Sequence, residues 1–188
     1  KAEFSPEKIK VGDSISLHLF SERTLYDAAF NPIGKEQFDL PGVDVLFGGN
    51  SYKSGSDGRV LIPTAGLPSG KYILTVSKEV GNSYPALVRK EYTIDLYNTK
   101  SIQLRIEGLS KTIAAEDNLE VWSVGDVTAL VAMEQLLQRD HIEYSLAQGG
   151  TYINSIGDLA AGHFGGWDGW MYTINNAMPY DSMGNCKL

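Results

Sequence analysis

Run after run of this chain alternates apolar with polar residues, and a period of two is what a strand with one buried face requires. Residues 14–20 set the pattern, with Ile15, Leu17 and Leu19 on one face and His18 in the polar, solvent-facing phase. Further runs follow at 43–47, 59–62, 71–77 and 87–96. Between them stand Gly48-Gly49-Asn50, Ser56-Asp57-Gly58, Leu67-Pro68-Ser69-Gly70 and Gly81-Asn82, all built from residues that turn a chain. Short strands at this spacing predict a β-sandwich over residues 1–97. Residues 21–40 lack the period and carry Asn31-Pro32, so they read as a long irregular crossing with room for one short strand. Asn50, Ser54 and Asp57 resemble the start of a calcium loop, but the Asp57-Gly58 turn explains them without an ion.

No Pro/Gly/Ser spacer separates the halves: Asp95-Leu96-Tyr97-Asn98-Thr99-Lys100 leads straight into a second alternating run at 101–108, which implies a stiff junction. Residues 119–122 read as the next strand, after a polar turn at Glu116-Asp117-Asn118. A helix is expected from Asp126, as N-cap, to about Arg139-Asp140; Leu130, Met133 and Leu137 recur at its period, with Val127 and Leu136 widening the face. His141, just past its end, where a cation suits the helix dipole, is expected to cap the helix. Strand, strand, helix, further strands is the order of a β-grasp. The expected fold class is therefore mainly β: an Ig-like or prealbumin-like β-sandwich over 1–97, then an α+β β-grasp domain over 101–188 with one principal helix.

Charge narrows the partners. The chain of 188 residues carries a net charge of −7, concentrated in its second half, where 5 basic residues face 11 acidic ones. A nucleic-acid partner is disfavoured on that ground. No run of about 18 apolar residues is present, so no membrane span is expected in this chain. Cys186 is the one cysteine and excludes both an internal disulfide and a thiolate metal site. Three histidines far apart in sequence, and acids placed mostly in turns, give no nucleophile and base pair, so no catalytic residues, metal or cofactor are expected.

The densest chemistry lies at Gly162-His163-Phe164-Gly165-Gly166-Trp167-Asp168-Gly169-Trp170, after which a strand-like run begins. Glycines free the backbone to turn tightly and present flat aromatic faces. His163, Phe164, Trp167, Trp170 and Tyr172 are the candidate ligand-binding residues. Trp167, between glycines, is expected at the surface, whereas Trp170 is expected to face the core. Clustered rings with few cations suit an uncharged flat or cyclic ligand better than a phosphate. The alternative is that the loop plugs the core and binds nothing.

Two resemblances add to this. Ile153-Asn154-Ser155-Ile156-Gly157, Leu159-Ala160-Ala161-Gly162 and Gly169-Trp170-Met171-Tyr172-Thr173-Ile174-Asn175-Asn176 make residues 101–188 similar to the transcobalamin-like C-terminal domain family, β-grasp modules that recur as a domain of unknown function in bacterial surface proteins and in vertebrate cobalamin carriers. Ser56-Asp57-Gly58-Arg59-Val60 with Leu67-Pro68-Ser69-Gly70-Lys71-Tyr72 resembles prealbumin-like, collagen-adhesin-type Ig-like modules. Some of those modules form a Lys–Asn isopeptide bond through a buried glutamate a few residues after the tyrosine. Val76 stands there, so no isopeptide is expected, and Lys10 and Asp95 read as ordinary surface residues.

The resemblances imply a non-enzymatic module of an extracellular, Gram-positive cell-surface protein, a fragment lacking signal peptide and anchor, whose second domain binds a small soluble ligand or surface partner. Cobalamin is suggested by kinship alone. A purely structural stalk or adhesion module is the competing expectation. Family members end in a further turn and strand beyond the segment ending at Leu188. The β-grasp is therefore expected to lack its last strand, and the resulting open edge to favour self-association.

Overall fold

The alternating runs become strands in the computed structural model, which describes residues 1–80, 86–147, 149–165 and 168–188. The chain divides into two compact units, 1–97 and 98–188. The first contains β1 (Ala2–Ser5), β2 (Ile9–Lys10), β3 (Ser14–Tyr26), β4 (Pro32–Asp39), β5 (Asp44–Phe47), β6 (Asn50–Lys53), β7 (Arg59–Pro63) and β8 (Gly70–Val80). β9 (Ala86–Glu107) begins in the first unit and ends in the second.

One sheet of the first unit is organised on β3, which pairs antiparallel with β1 and β7 through its first half and with β4 beyond Phe20. In the other sheet β5 lies between β6 and β8, β8 pairs with β9, and β2 runs parallel to β9. The apolar phase of each strand meets in one core: Ile15, Leu17 and Leu19 from β3, Val45 and Phe47 from β5, Ile62, Leu74, and Ile94 with Leu96 from β9. Each such side chain contributes about 1.5–3 kcal/mol by leaving water, which makes this phase the register that survives.

Polar groups close the ends of this sandwich. Ser54 Oγ donates to Leu40 O at 2.7 Å and accepts from Val43 N–H at 2.9 Å. Thr64, fully buried, donates to Asp13 O and accepts from Gly12 N–H. Asp57 Oδ1 accepts from Arg59 N–H at 3.0 Å, the turn interaction that its sequence implied. Gly58 sits at φ 69°, and a Cβ there would lie 2.3 Å from Leu19 O, so only glycine fits this turn against β3.

Three readings of this half need correcting. Residues 21–40 are not an irregular crossing; they form the far part of a β3–β4 ribbon, paired from Phe20↔Asp39 to Tyr26↔Pro32. The reversal is held by Asp27, whose Oδ1 accepts from the N–H groups of Ala29 and Asn31 at 2.8 Å each. Those bonds, with the Asn31 amide first among them, hold the Asp27 carboxyl below its ordinary range. A ribbon with both faces wet has no apolar period to display, so the pairing left no sequence signal. His18 is not simply solvent-facing: its side chain is 12% exposed, with Nε2 2.8 Å from Asp39 Oδ1 and Nδ1 3.8 Å from Glu3 Oε2. Asp95 is half-buried and lies opposite Lys71 across the β8–β9 pair, with 3.6 Å between Oδ1 and Nζ.

No turn interrupts residues 95–100, where the sequence suggested the end of one strand and the start of another. β9 contains neither glycine nor proline over its length, so nothing breaks it. Its apolar residues enter the core of the first unit at Ile94 and Leu96, and that of the second at Ile102, Leu104 and Ile106.

In the second unit β9 pairs with β10 (Thr112–Ser123), through a turn in which Gly108 N–H donates to Lys111 O. The polar Glu116-Asp117-Asn118 is not a turn before a short strand but a bulge within β10, where the register shifts between Glu116 and Leu119. Helix α1 (Ala129–Arg139) follows, then β11 (Tyr144–Leu146), β12 (Ile153–Ile156) and β13 (Leu159–Ala160), joined as a small antiparallel sheet in that order. Among the described residues the chain is mainly β with one helix.

Every residue expected on the inner face of the helix is buried: Val127, Leu130, Met133, Leu136 and Leu137. Its N-cap is Thr128, not Asp126; Thr128 Oγ1 accepts from Val131 N–H at 3.3 Å. Asp126 pairs instead with Lys187 at 2.6 Å. At the other end His141 caps the helix, through its backbone. It adopts φ 55° and its N–H donates to Gln138 O while Ile142 N–H donates to Leu137 O, the double bond pattern of a Schellman stop.

Gln135 fixes α1 to β10: its Oε1 accepts from Trp122 N–H at 3.0 Å and its Nε2 donates to Trp122 O at 2.5 Å, as a neighbouring strand would. Gln135→Leu deprives both backbone groups of this partner and is expected to lower stability by about 1–3 kcal/mol in urea unfolding. An unchanged midpoint would mean that water replaces the amide at no cost.

Candidate functional site

The aromatic loop is held by backbone bonds that start from β12 and β13. Ala161 N–H donates to Asn154 O at 2.7 Å and His163 N–H to Ala160 O at 3.2 Å, so the loop leaves β13 through a turn. Gly162, at φ 76°, donates to Asp168 O, and Gly165, at φ 86°, to Gly162 O. Asp168 closes the loop from the far side, its Oδ2 accepting from Phe164 N–H at 3.0 Å. Asp168 Oδ1 is buried and has no hydrogen-bond partner among the described residues.

The candidate residues divide into two groups. Phe164 is 64% exposed and His163 meets its ring edge-on, with centroids 4.8 Å apart at 78°. Trp170 and Tyr172 are half-buried against the core around α1. The indole Nε1 of Trp170 donates to Leu159 O at 3.2 Å, and the Tyr172 hydroxyl donates to Asp181 O. Burial, with the Cys186 thiol next, pushes the Tyr172 hydroxyl up to about 12. Trp167 lies outside the described residues.

The expected strand from Trp170 is absent from the sheets, although its alternation is real. Trp170, Tyr172 and Ile174 pack on the core while Met171 and Thr173 are exposed. The segment forms no ladder and ends in a tight turn at Asn175-Asn176, both at positive φ, bridged by Ile174↔Ala177. Here the side-chain period is set by packing alone.

A groove of about 330 Å³ opens beside this loop. Phe164 and Trp170 line it together with Asp168 and Met171 from the same stretch, and Glu107 with Leu109 from the β9–β10 turn. His163 supports Phe164 without lining the groove, and Tyr172 is not part of its wall. Met171, 73% exposed, and Leu109, 69% exposed, escaped the sequence reading. An exposed methionine after a tryptophan was a usable signal; Leu109 carried none, because only the β9–β10 hairpin brings it to a loop some fifty residues on.

Among the described residues the walls offer π faces, a thioether and carboxylates, and no lysine, arginine or histidine. Glu107 is already paired with Arg105 and accepts from Thr112 Oγ1, and the Arg105 hydrogen bond chiefly holds its carboxyl below the usual range. Such a surface stacks rings and accepts hydrogen bonds; it does not attract anions. Among the described residues no three His, Cys, Asp or Glu side chains gather to hold a metal ion. No described helix is long and apolar enough to cross a membrane.

Residues 126–188, from the start of the helical segment to Leu188, match a family described as a domain of unknown function (DUF4430). The aromatic loop lies inside that match and the Glu107–Leu109 wall of the groove lies outside it. No curated protein and no solved structure matches the chain.

Exposure separates the two roles in the loop. Trp170→Ala is expected to destabilise the protein by about 3 kcal/mol, the low end for a core aromatic, because packing and the indole bond to Leu159 are both lost. Phe164→Ala should move the unfolding midpoint by less than about 0.5 kcal/mol equivalent. Equal losses in denaturant unfolding would show that Phe164 is structural.

Proposed function

We propose that residues 98–188 form a ligand-binding module of the transcobalamin-like β-grasp kind, carried beside an Ig-like or prealbumin-like sandwich in a bacterial cell-surface protein, and that neither unit is catalytic. The observation that carries the reading is the groove of about 330 Å³, at the small end of ligand sites, with Phe164 exposed on its wall. The family match over 126–188 and the order of two strands, a helix and a small sheet support the β-grasp assignment. The bond from the Tyr72 hydroxyl back to Pro68 O at 2.8 Å supports the sandwich assignment, since a tyrosine tied to backbone a few residues upstream recurs in Ig-like folds. The ligand class is a small soluble molecule with a flat or cyclic part; cobalamin enters by kinship and no further.

A thermal-shift screen of the 188-residue chain against soluble cyclic compounds, cobalamin included, tests this. At least one compound should raise the melting temperature in a saturable way, and Phe164→Ala should remove that shift. If every shift survives the substitution, the competing reading stands: Trp170 and Tyr172 pack inward and bond internally, as a stalk module would require.

Self-association is a separate proposal. Among the described residues β11 pairs on one side only, with β12, and an open strand edge can accept a second copy. Sedimentation should then show a mass that rises with concentration. A constant monomer mass to millimolar concentration removes this route.

A further inference from the structure

The groove contains a charge without an answer. Asp168 spends Oδ2 on the Phe164 N–H, while its Oδ1 is buried with no hydrogen-bond partner, and no ion pair reaches it among the described residues. A carboxylate so placed is poorly solvated, and the field it projects is screened less than at an open surface. The second carboxylate on the wall, Glu107, is compensated by Arg105, so the excess negative charge of the groove is that of Asp168. Around it stand the surfaces that accept cations best: the rings of Phe164 and Trp170 and the thioether of Met171. Among the described residues no cationic side chain lines the groove, and the half of the chain containing it carries 11 acidic against 5 basic residues, which steers cations towards it and anions away.

We infer that the groove takes an organic cation, an amine or a planar amidinium or guanidinium on an apolar or aromatic body, stacked on Phe164 and Trp170 and held by the charge of Asp168. The inference rests on the groove being a binding site and refines the neutral ring that the sequence suggested. Oδ1 is buried, so Asp168 acts on the ligand through its field rather than through a bond from that atom. A volume of about 330 Å³ admits one ring with its cationic group, or the end of one arginine side chain, and little more. The same chemistry is offered by a free small molecule and by a basic residue of a partner protein.

Three probes of one shape decide the matter: benzamidine, benzyl alcohol and benzoate, titrated into the full chain and followed by the NMR signals of the Phe164 amide and the Trp170 indole N–H. Benzamidine is expected to shift both signals saturably, at least tenfold tighter than benzyl alcohol, and benzoate to leave them unmoved. Asp168→Asn retains an oxygen for the Phe164 N–H while removing the charge. It should weaken benzamidine at least tenfold and leave benzyl alcohol unchanged. Phe164→Leu, at an exposed side chain, should weaken both and serves should Asp168→Asn fail to fold.

Equal binding of benzamidine and benzyl alcohol, or indifference of benzamidine to Asp168→Asn, overturns the cation while leaving the groove a binding site. Failure of all three probes to move either signal overturns both. An arginine tripeptide with blocked ends, added as a fourth probe, separates the sources. Tighter binding than benzamidine supports a partner's side chain, and weaker binding supports a free small molecule.

Discussion

Much of this structure depends on one strand that never breaks. β9 runs from Ala86 to Glu107 without a glycine or proline, and its ladder partners change along its length from β8 and β2 to β10. Its alternation delivers Ile94 and Leu96 to the core of the first unit and Ile102, Leu104 and Ile106 to that of the second. Each unit thus takes its own part of the strand into its own core. The end of the strand also matters for the site, because the turn after Glu107 supplies Leu109 and one wall of the groove.

The second unit shows how a small sheet and a single helix are held together with few specific contacts. Buried apolar residues on one face of α1 provide most of the adhesion, as an amphipathic stripe must. Gln135 gives that adhesion a register by pairing with the backbone of Trp122. The C-terminal residues contribute the rest: Ala129 N–H donates to Cys186 O, Leu130 N–H to Met183 O, and Leu188 N–H to Val127 O. Two of these bonds satisfy amides at the start of the helix that have no partner within it.

The loop bearing Phe164 is stiffened by its own backbone bonds and by Asp168, and among its described residues the His163 and Phe164 rings lie at the surface while those of Trp170 and, beyond it, Tyr172 go inward. A site of this kind relies on shape and charge contrast. Its walls combine apolar area with a carboxylate whose solvation is incomplete, and the proposed selectivity for a cation rests on electrostatics that water does not fully screen. In the proposed binding mode, ligand discrimination falls to Asp168 and contact area to Phe164 and Trp170.

By itself the sequence determined what depends on near neighbours. The period of two fixed which faces of 14–20, 71–77 and 101–108 are buried, the helical period fixed the inner face of α1, and Asp57-Gly58 fixed a turn, because each is decided within a few residues. The glycine and aromatic content of 162–170 likewise marked the candidate loop. Tertiary structure decided what depends on distant partners. Thr128 rather than Asp126 caps the helix because Lys187 pairs with Asp126 and bridges Thr128; residues 21–40 pair as a ribbon without an apolar period; Glu116–Asn118 is absorbed as a bulge because β10 must keep Leu119 and Val121 buried. The groove belongs to this second class. Its walls come from segments some fifty residues apart, and no local pattern encodes that Leu109 and Phe164 will share a cavity.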